Sequence, residues 1–230
     1  ECAVRVDDLS GATVAIAASG GLDSCTITRW LVAHGVDVVS LTADLGQPDE
    51  DDIEDAAERM RVSGASEAVI VDAKESLARA GLEVLQAQAC YEGGYWNTTG
   101  IARYVTVACL LPELASRDIH VLAHGATGRG NDQVRFQLAT NMLAPTIQMY
   151  APWRDPGFLD QFPGRREMIA YCEKEAIPIR ATVDKPYSTD ANLLGLTHEA
   201  GRLEELTTPT EFVEPEMGVY PKDAPADGQQ

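Results

Sequence analysis

The chain has 230 residues, 45% of them hydrophobic, and a formal charge of −18 from 36 acidic and 18 basic residues. That length holds one sizeable core with at most a small appendage. No apolar run approaches the ~20 residues of a membrane span, the first residues lack signal-peptide organisation, and no basic patch offers a footprint for nucleic-acid phosphates; membrane and nucleic-acid partners are therefore not expected, and a cytoplasmic protein is.

Strand-like runs at 13–18, 37–43, 68–72 and 119–124 alternate with helix-like stretches at 24–34, 50–63, 74–89 and 100–117. Such alternation, with near-continuous apolar strands, predicts an α/β fold: a mostly parallel sheet with helices on both faces. Ligands bind such sheets at the carboxyl ends of the strands, so the loops after the strands should carry the chemistry.

The first loop reads Ser19-Gly20-Gly21-Leu22-Asp23-Ser24-Cys25. A glycine pair between strand and helix admits a phosphate close to the backbone, and the helix-start N–H groups with the Ser19 and Ser24 hydroxyls supply donors. No lysine is present to reach β- and γ-phosphates, which sets this loop apart from the Gly-x-x-x-x-Gly-Lys-Ser/Thr type and predicts a pyrophosphate cradle. The second loop, Ala43 to Asp52, is acidic in the way a solvated helix start favours. Cys90 to Gly100 concentrates aromatics, hydroxyls and glycines, as a buried turn or a small-molecule pocket would.

After 119–124 comes His124-Gly125-Ala126-Thr127-Gly128-Arg129-Gly130-Asn131-Asp132-Gln133-Val134-Arg135-Phe136. Asn131, Asp132 and Arg135 fall within one helical turn and can converge on one ligand, although Asn131 also reads as a plain N-cap. The five cysteines, Cys2, Cys25, Cys90, Cys109 and Cys172, form no Cys-x-x-Cys pair and no histidine stands at ligand spacing, so no protein metal site and no disulfide framework is expected. From about Thr207 the pattern gives way to Pro-, Glu- and Asp-rich sequence. The expected division is a nucleotide-binding unit over 1–206 and an acidic tail or linker start over 207–230.

The Ser-Gly-Gly-x-Asp-Ser loop resembles that of the ATP pyrophosphatases, which split ATP to AMP and pyrophosphate. Together with Gly125 to Phe136, Thr42 to Glu50, Asn97-Thr98-Thr99, Ala151-Pro152-Trp153, Tyr187 to Gly195, Thr197-His198-Glu199-Ala200 and Met217-Gly218-Val219, it makes the chain similar to the argininosuccinate synthase family over nearly its whole length. The resemblance implies a Rossmann-like fold of the HUP type, ATP and Mg²⁺ as cofactors, and an AMP-forming ligase that adenylates the ureido oxygen of citrulline and couples it to aspartate. It implies ATP contacts at Ala17, Ala18, Ser19, Gly20, Gly21, Leu22, Asp23, Ser24, Cys25, Ala43 and Gly125, with Asp23, Ser24 and Asp132 central to catalysis. Thr127, Asn131 and Asp132 would hold aspartate, and Tyr95, Thr99, Asn131, Arg135, Ser188, Thr197 and Glu199 the citrulline-like substrate.

The chain departs from the family at Ala18, at Ser24-Cys25 and at Arg129, where the family has an aromatic, Thr-Ser and Lys. Family chains continue into a second domain that adds citrulline contacts and builds a tetramer, so this chain is expected to be a nucleotide-binding fragment or a shortened relative with another acceptor. Two alternatives stand beside the ligase: an AMP-forming sulfur-transfer enzyme using Cys25 or Cys90, and a catalytically impaired nucleotide-binding subunit. Under any of these readings the chain is open to assembly as a homo-oligomer or with a separate partner chain.

Overall fold

Short runs of small and β-branched residues form five parallel strands, β1 (Thr13–Ala17), β2 (Asp37–Asp44), β3 (Glu67–Asp72), β4 (Val121–His124) and β5 (Gln148–Tyr150), in the order β3-β2-β1-β4-β5. The computed structural model describes residues 5–48, 53–91, 94, 96, 98–128, 130–179, 187–199 and 201–226. The helices are α1 (Leu22–Ala33), α2 (Ile53–Val62), α3 (Lys74–Gln86), α4 (Thr98–Ser116), α5 (Asp132–Leu143), α6 (Pro156–Gln161) and α7 (Arg165–Lys174), and an antiparallel hairpin of β6 (Ser188–Asn192) and β7 (Gly195–Glu199) follows. Among the described residues no helix is long and apolar enough to cross a membrane.

The two-residue strand period sends alternate side chains to opposite faces. Val14 and Ile16 pack with Ile27, Trp30 and Leu31 of α1 and Cys172 of α7, while Ala15, Leu41 and Ala43 pack with Leu77 of α3 and Leu110 and Leu114 of α4. Burying a Leu or Ile side chain contributes roughly 1.5–3 kcal/mol, so two-sided cover explains why β1 and β2 read as unbroken apolar runs.

The expected elements are present, with shifted ends. Ile119 and His120 precede the strand: Asp118 takes φ +54° and the Ile119 N–H returns to the Leu114 carbonyl at 3.0 Å, capping α4. α1 starts at Leu22 instead of Ser24, because Gly21 is already the extended N-cap residue. α3 stops at Gln86, just before Gln88 at φ +50°.

From β1 the chain builds outward to β3 and then returns to place β4 on the other side of β1, which puts a topological switch point between the carboxyl ends of β1 and β4. The hairpin roofs that end of the sheet. Its Leu193 N–H donates to the Leu45 carbonyl at 2.9 Å, and Leu194 seats against Gly81 of α3, where a Cβ would lie 2.6 Å from Leu194 Cδ2. Part of the acidic tail leans on the hairpin side: Phe212 stacks edge-on against Tyr187 and under the Arg202 guanidinium, and the Glu214 N–H donates to the Tyr187 hydroxyl at 3.2 Å.

Candidate active site

The turn from Ser19 to Ser24 is held from behind by α2. Gly20 sits at φ +68°, and a Cβ there would lie 2.8 Å from both Cα and Cβ of Ala56, so only glycine fits. Arg59, itself buried, donates Nε–H to the Gly20 carbonyl at 2.7 Å. The Ser19 N–H donates to Ser24 Oγ at 3.2 Å, and the two hydroxyls lie 3.3 Å apart. The first backbone bond of α1 is Cys25 N–H to Gly21 carbonyl at 3.0 Å, which leaves the N–H groups of Leu22, Asp23 and Ser24 with no backbone carbonyl inside the helix to accept them. A helix start of this kind favours an anion.

The end of β4 runs hard against that helix start. A Cβ on Gly125 would lie 3.3 Å from Asp23 Cβ and 3.7 Å from Ser24 N. Asp23 accepts a hydrogen bond from the indole Nε1–H of Trp153 at 2.9 Å. Burial pushes the Asp23 carboxyl above the usual range, and the indole bond opposes that rise. His124 is buried, stacks on Phe136 at 5.0 Å and accepts the Ala126 N–H on Nδ1 at 3.2 Å. Burial lowers its pKa to about 4, so the imidazole is neutral near pH 7.

A cluster of paired charges closes the other side. Asp132, at the first position of α5, accepts from Arg103 Nε on Oδ2 at 2.9 Å and from Arg135 Nη1 on Oδ1 at 2.7 Å. Arg103, projecting from α4, also pairs through Nη2 with Asp190 of β6. Both Asp132 carboxylate oxygens are thus engaged by guanidinium groups, and an ammonium ligand would have to share or displace one of them.

These parts surround one cavity of about 420 Å³ at the carboxyl ends of the strands. Its wall includes Ala17, Ala18, Ser19, Gly21, Asp23, Ser24, Ala43, Gly125, Asp132 and Glu199, all expected from sequence. Leu22 and Cys25 turn into the core on the α1 side, and Gly20 serves as support. Thr127 and Asn131 stand exposed on the loop before α5, and Asn131, although the N-cap residue, makes no side-chain cap bond. Thr99 is buried and its hydroxyl lies 3.1 Å from that of Thr197, joining α4 to β7. Ser188 lies on β6, while Tyr95 and Arg129 fall outside the described residues.

Sequence reasoning missed Arg103, Arg59, Trp153 and Asp190. One signal for Arg103 was available: it is the lone basic residue between Thr98 and Ser116, in a helix whose other charged side chain is Glu113. The cysteines take different surroundings. Cys25 and Cys172 are buried and Cys90 is exposed, and burial lifts the Cys25 thiol to about 11. Among the described residues no group of three or more His, Cys, Asp or Glu side chains could hold a metal ion.

Residues 13–178 match the Arginosuccinate synthase N-terminal HUP domain family. The chain is 47% identical over 213 residues to an argininosuccinate synthase from Rhodopirellula baltica, an alignment covering 91% of this chain and 52% of that protein. The chain therefore spans about half the length of that curated relative. Among solved structures, it is similar to a predicted subunit of tRNA methyltransferase from Methanocaldococcus jannaschii (TM-score 0.45, 17% identity, 70% of this chain and 75% of that one). It is also similar to the U34-tRNA thiolase NcsA from Methanococcus maripaludis (TM-score 0.47, 14% identity, 76% and 61%). The family match over most of the sheet and the identity to a full-length relative agree with the glycine-tight turn and the five-stranded parallel sheet: the chain belongs to the argininosuccinate synthase family.

Proposed function

We propose that the chain binds ATP in the cavity between β1 and β4 and serves an AMP-forming ligase reaction between citrulline and aspartate. The carrying observation is the turn at Ser19 to Ser24, whose glycine is fixed against Ala56 and whose helix-start N–H groups have no helical acceptor. In the first step the ureido oxygen of citrulline attacks the α-phosphorus, the bond to the β-phosphate bridging oxygen breaks, and pyrophosphate leaves. In the second, the aspartate amine attacks the ureido carbon, the carbon–oxygen bond to AMP breaks, and the nitrogen gives up a proton. The protein's contribution is positioning and fixed dipoles.

Asp23 and Ser24 face the phosphates in this reading, with Ala43 beside the base. Thr127, Asn131 and Asp132 take the aspartate, and Tyr95, Thr99, Asn131, Arg135, Ser188, Thr197 and Glu199 take citrulline, Arg135 offering a planar fork to its carboxylate. Among the described residues the one basic side chain in the cavity wall is Arg103, already paired with two carboxylates. Charge on pyrophosphate is therefore assigned to the N–H groups of the turn and to Mg²⁺ that arrives on the nucleotide, since among the described residues no cluster suits a resident ion. The buried, high-pKa Cys25 argues against a sulfur carrier at the turn.

Residues 1–206 are read as the nucleotide-binding unit and 207–230 as its acidic tail. The test is chromatographic separation of nucleotides after incubation with Mg²⁺, citrulline and aspartate. AMP with pyrophosphate supports the proposal, and ADP with orthophosphate overturns it.

A further inference from the structure

We propose that Arg103 is a positioning residue, a clamp that sets the spacing between two walls of the cavity by holding Asp132 of α5 and Asp190 of β6 at the same time. The inference rests on the ligand reading above only for what closes around it; the clamp itself is a property of the fold. Asp132 begins the helix that follows β4, and Asp190 belongs to a hairpin that forms a sheet separate from the five main strands. Both carboxylates line the cavity, and one guanidinium from α4 pairs with each of them.

Arg103 is suited to this bridging. Its planar fork sets Nε and Nη2 both 2.9 Å from Asp132 Oδ2 while Nη2 also meets Asp190, a planar two-nitrogen contact that a lysine ammonium reproduces poorly. The pairing is partly buried, with 21% of the Arg103 side chain and 25% of Asp190 still exposed; burial would lower the Arg103 pKa, yet the two carboxylates raise it. The hairpin has further anchors, from Leu193 to Leu45, from Leu194 to Gly81 and from Thr197 to Thr99; loss of the clamp should therefore loosen one wall without unfolding the chain.

The experiment compares the wild-type chain with Arg103→Met, Arg103→Lys and Asp190→Asn by amide hydrogen exchange without ligand and by calorimetric titration with Mg²⁺ and α,β-methylene-ATP. Asp190→Asn removes one carboxylate charge and leaves Arg103 paired with Asp132, so it keeps the test valid if Arg103→Met fails to fold. Expected is roughly tenfold or faster exchange confined to β6–β7 in Arg103→Met and Asp190→Asn, partial rescue by Lys, and nucleotide affinity weakened by about tenfold. Because both variants break the same contact, the double variant should loosen the hairpin no further than either alone. Unchanged hairpin exchange in Asp190→Asn, full rescue by Lys, or additive effects in the double variant overturns the clamp. A wild-type chain that does not bind the nucleotide analogue overturns the ATP reading instead, while the exchange data still judge the clamp.

Discussion

Replacing Gly20 by alanine should destabilise the chain by two separable effects. An L-residue held at φ +68° in the left-handed region costs about 1–2 kcal/mol, and forcing a methyl into a filled space costs about 1–3 kcal/mol more. Here the methyl would lie 2.8 Å from Cα and Cβ of Ala56, and a Cα cannot rotate aside; α2 would have to move, straining the bond from Arg59 to the Gly20 carbonyl. Reduced freedom of the unfolded chain returns about 0.4–1 kcal/mol, leaving a net loss of roughly 1–4.5 kcal/mol. At about 2–4 °C per kcal/mol for a chain of this size, the Tm should fall by roughly 2–18 °C. Gly11 is the matched control: it has φ +76° with nothing within 4 Å of a Cβ, so Gly11→Ala carries the backbone cost alone, about 1 kcal/mol. Urea unfolding of both variants at one pH measures the difference. Equal losses would show that the Ala56 contact does not hold the turn.

Asp23→Ala and Ser24→Ala should each weaken ATP use by about tenfold or more while leaving the circular dichroism spectrum unchanged, since a lost hydrogen bond to a charged group is worth about 1.5–3 kcal/mol; unchanged kinetics in both would make the turn merely structural. Iodoacetamide at pH 8 should modify exposed Cys90 well before buried Cys25, whose thiol stays protonated there; peptide mapping that finds Cys25 reacting as fast refutes its buried placement. His124, with a folded pKa of about 4, should show no NMR titration near pH 6.5. Its unfolded form binds a proton that the folded form refuses, so this contribution, roughly 3 kcal/mol, is complete above pH 6.5 and erodes as pH falls toward 4; a titration midpoint near 6.5 contradicts the burial.

The strands β1 to β4 and their loops were legible because each alternates with a long helical pattern and ends in glycine or acid. β5 has only three residues, and the β6–β7 hairpin reads Ser-Thr-Asp-Ala-Asn and Gly-Leu-Thr-His-Glu, with no clear apolar alternation to signal a strand. The hairpin is placed by distant partners, Leu45, Gly81 and Arg103, which local periodicity does not encode. The same holds at the site. Ser19 to Ser24 could be recognised because backbone geometry dictates glycine there, whereas the indole bond from Trp153 to Asp23 joins residues 130 positions apart. Arg135 and Asp132 were expected to wait for separate ligand groups, yet they meet each other, because i and i+3 on a helix share a face.

In the proposed reaction one cavity couples ATP cleavage to aspartate. The most direct measurement of that coupling is the rate of AMP formation with citrulline present and aspartate varied, in the wild-type chain and in Asp132→Ala. AMP release should rise with aspartate, with a half-saturating concentration at least tenfold higher in the variant, as expected for loss of a charged hydrogen bond of about 1.5–3 kcal/mol. AMP that forms equally well without aspartate, an Asp132→Ala variant with the wild-type requirement, or no AMP at all would contradict it.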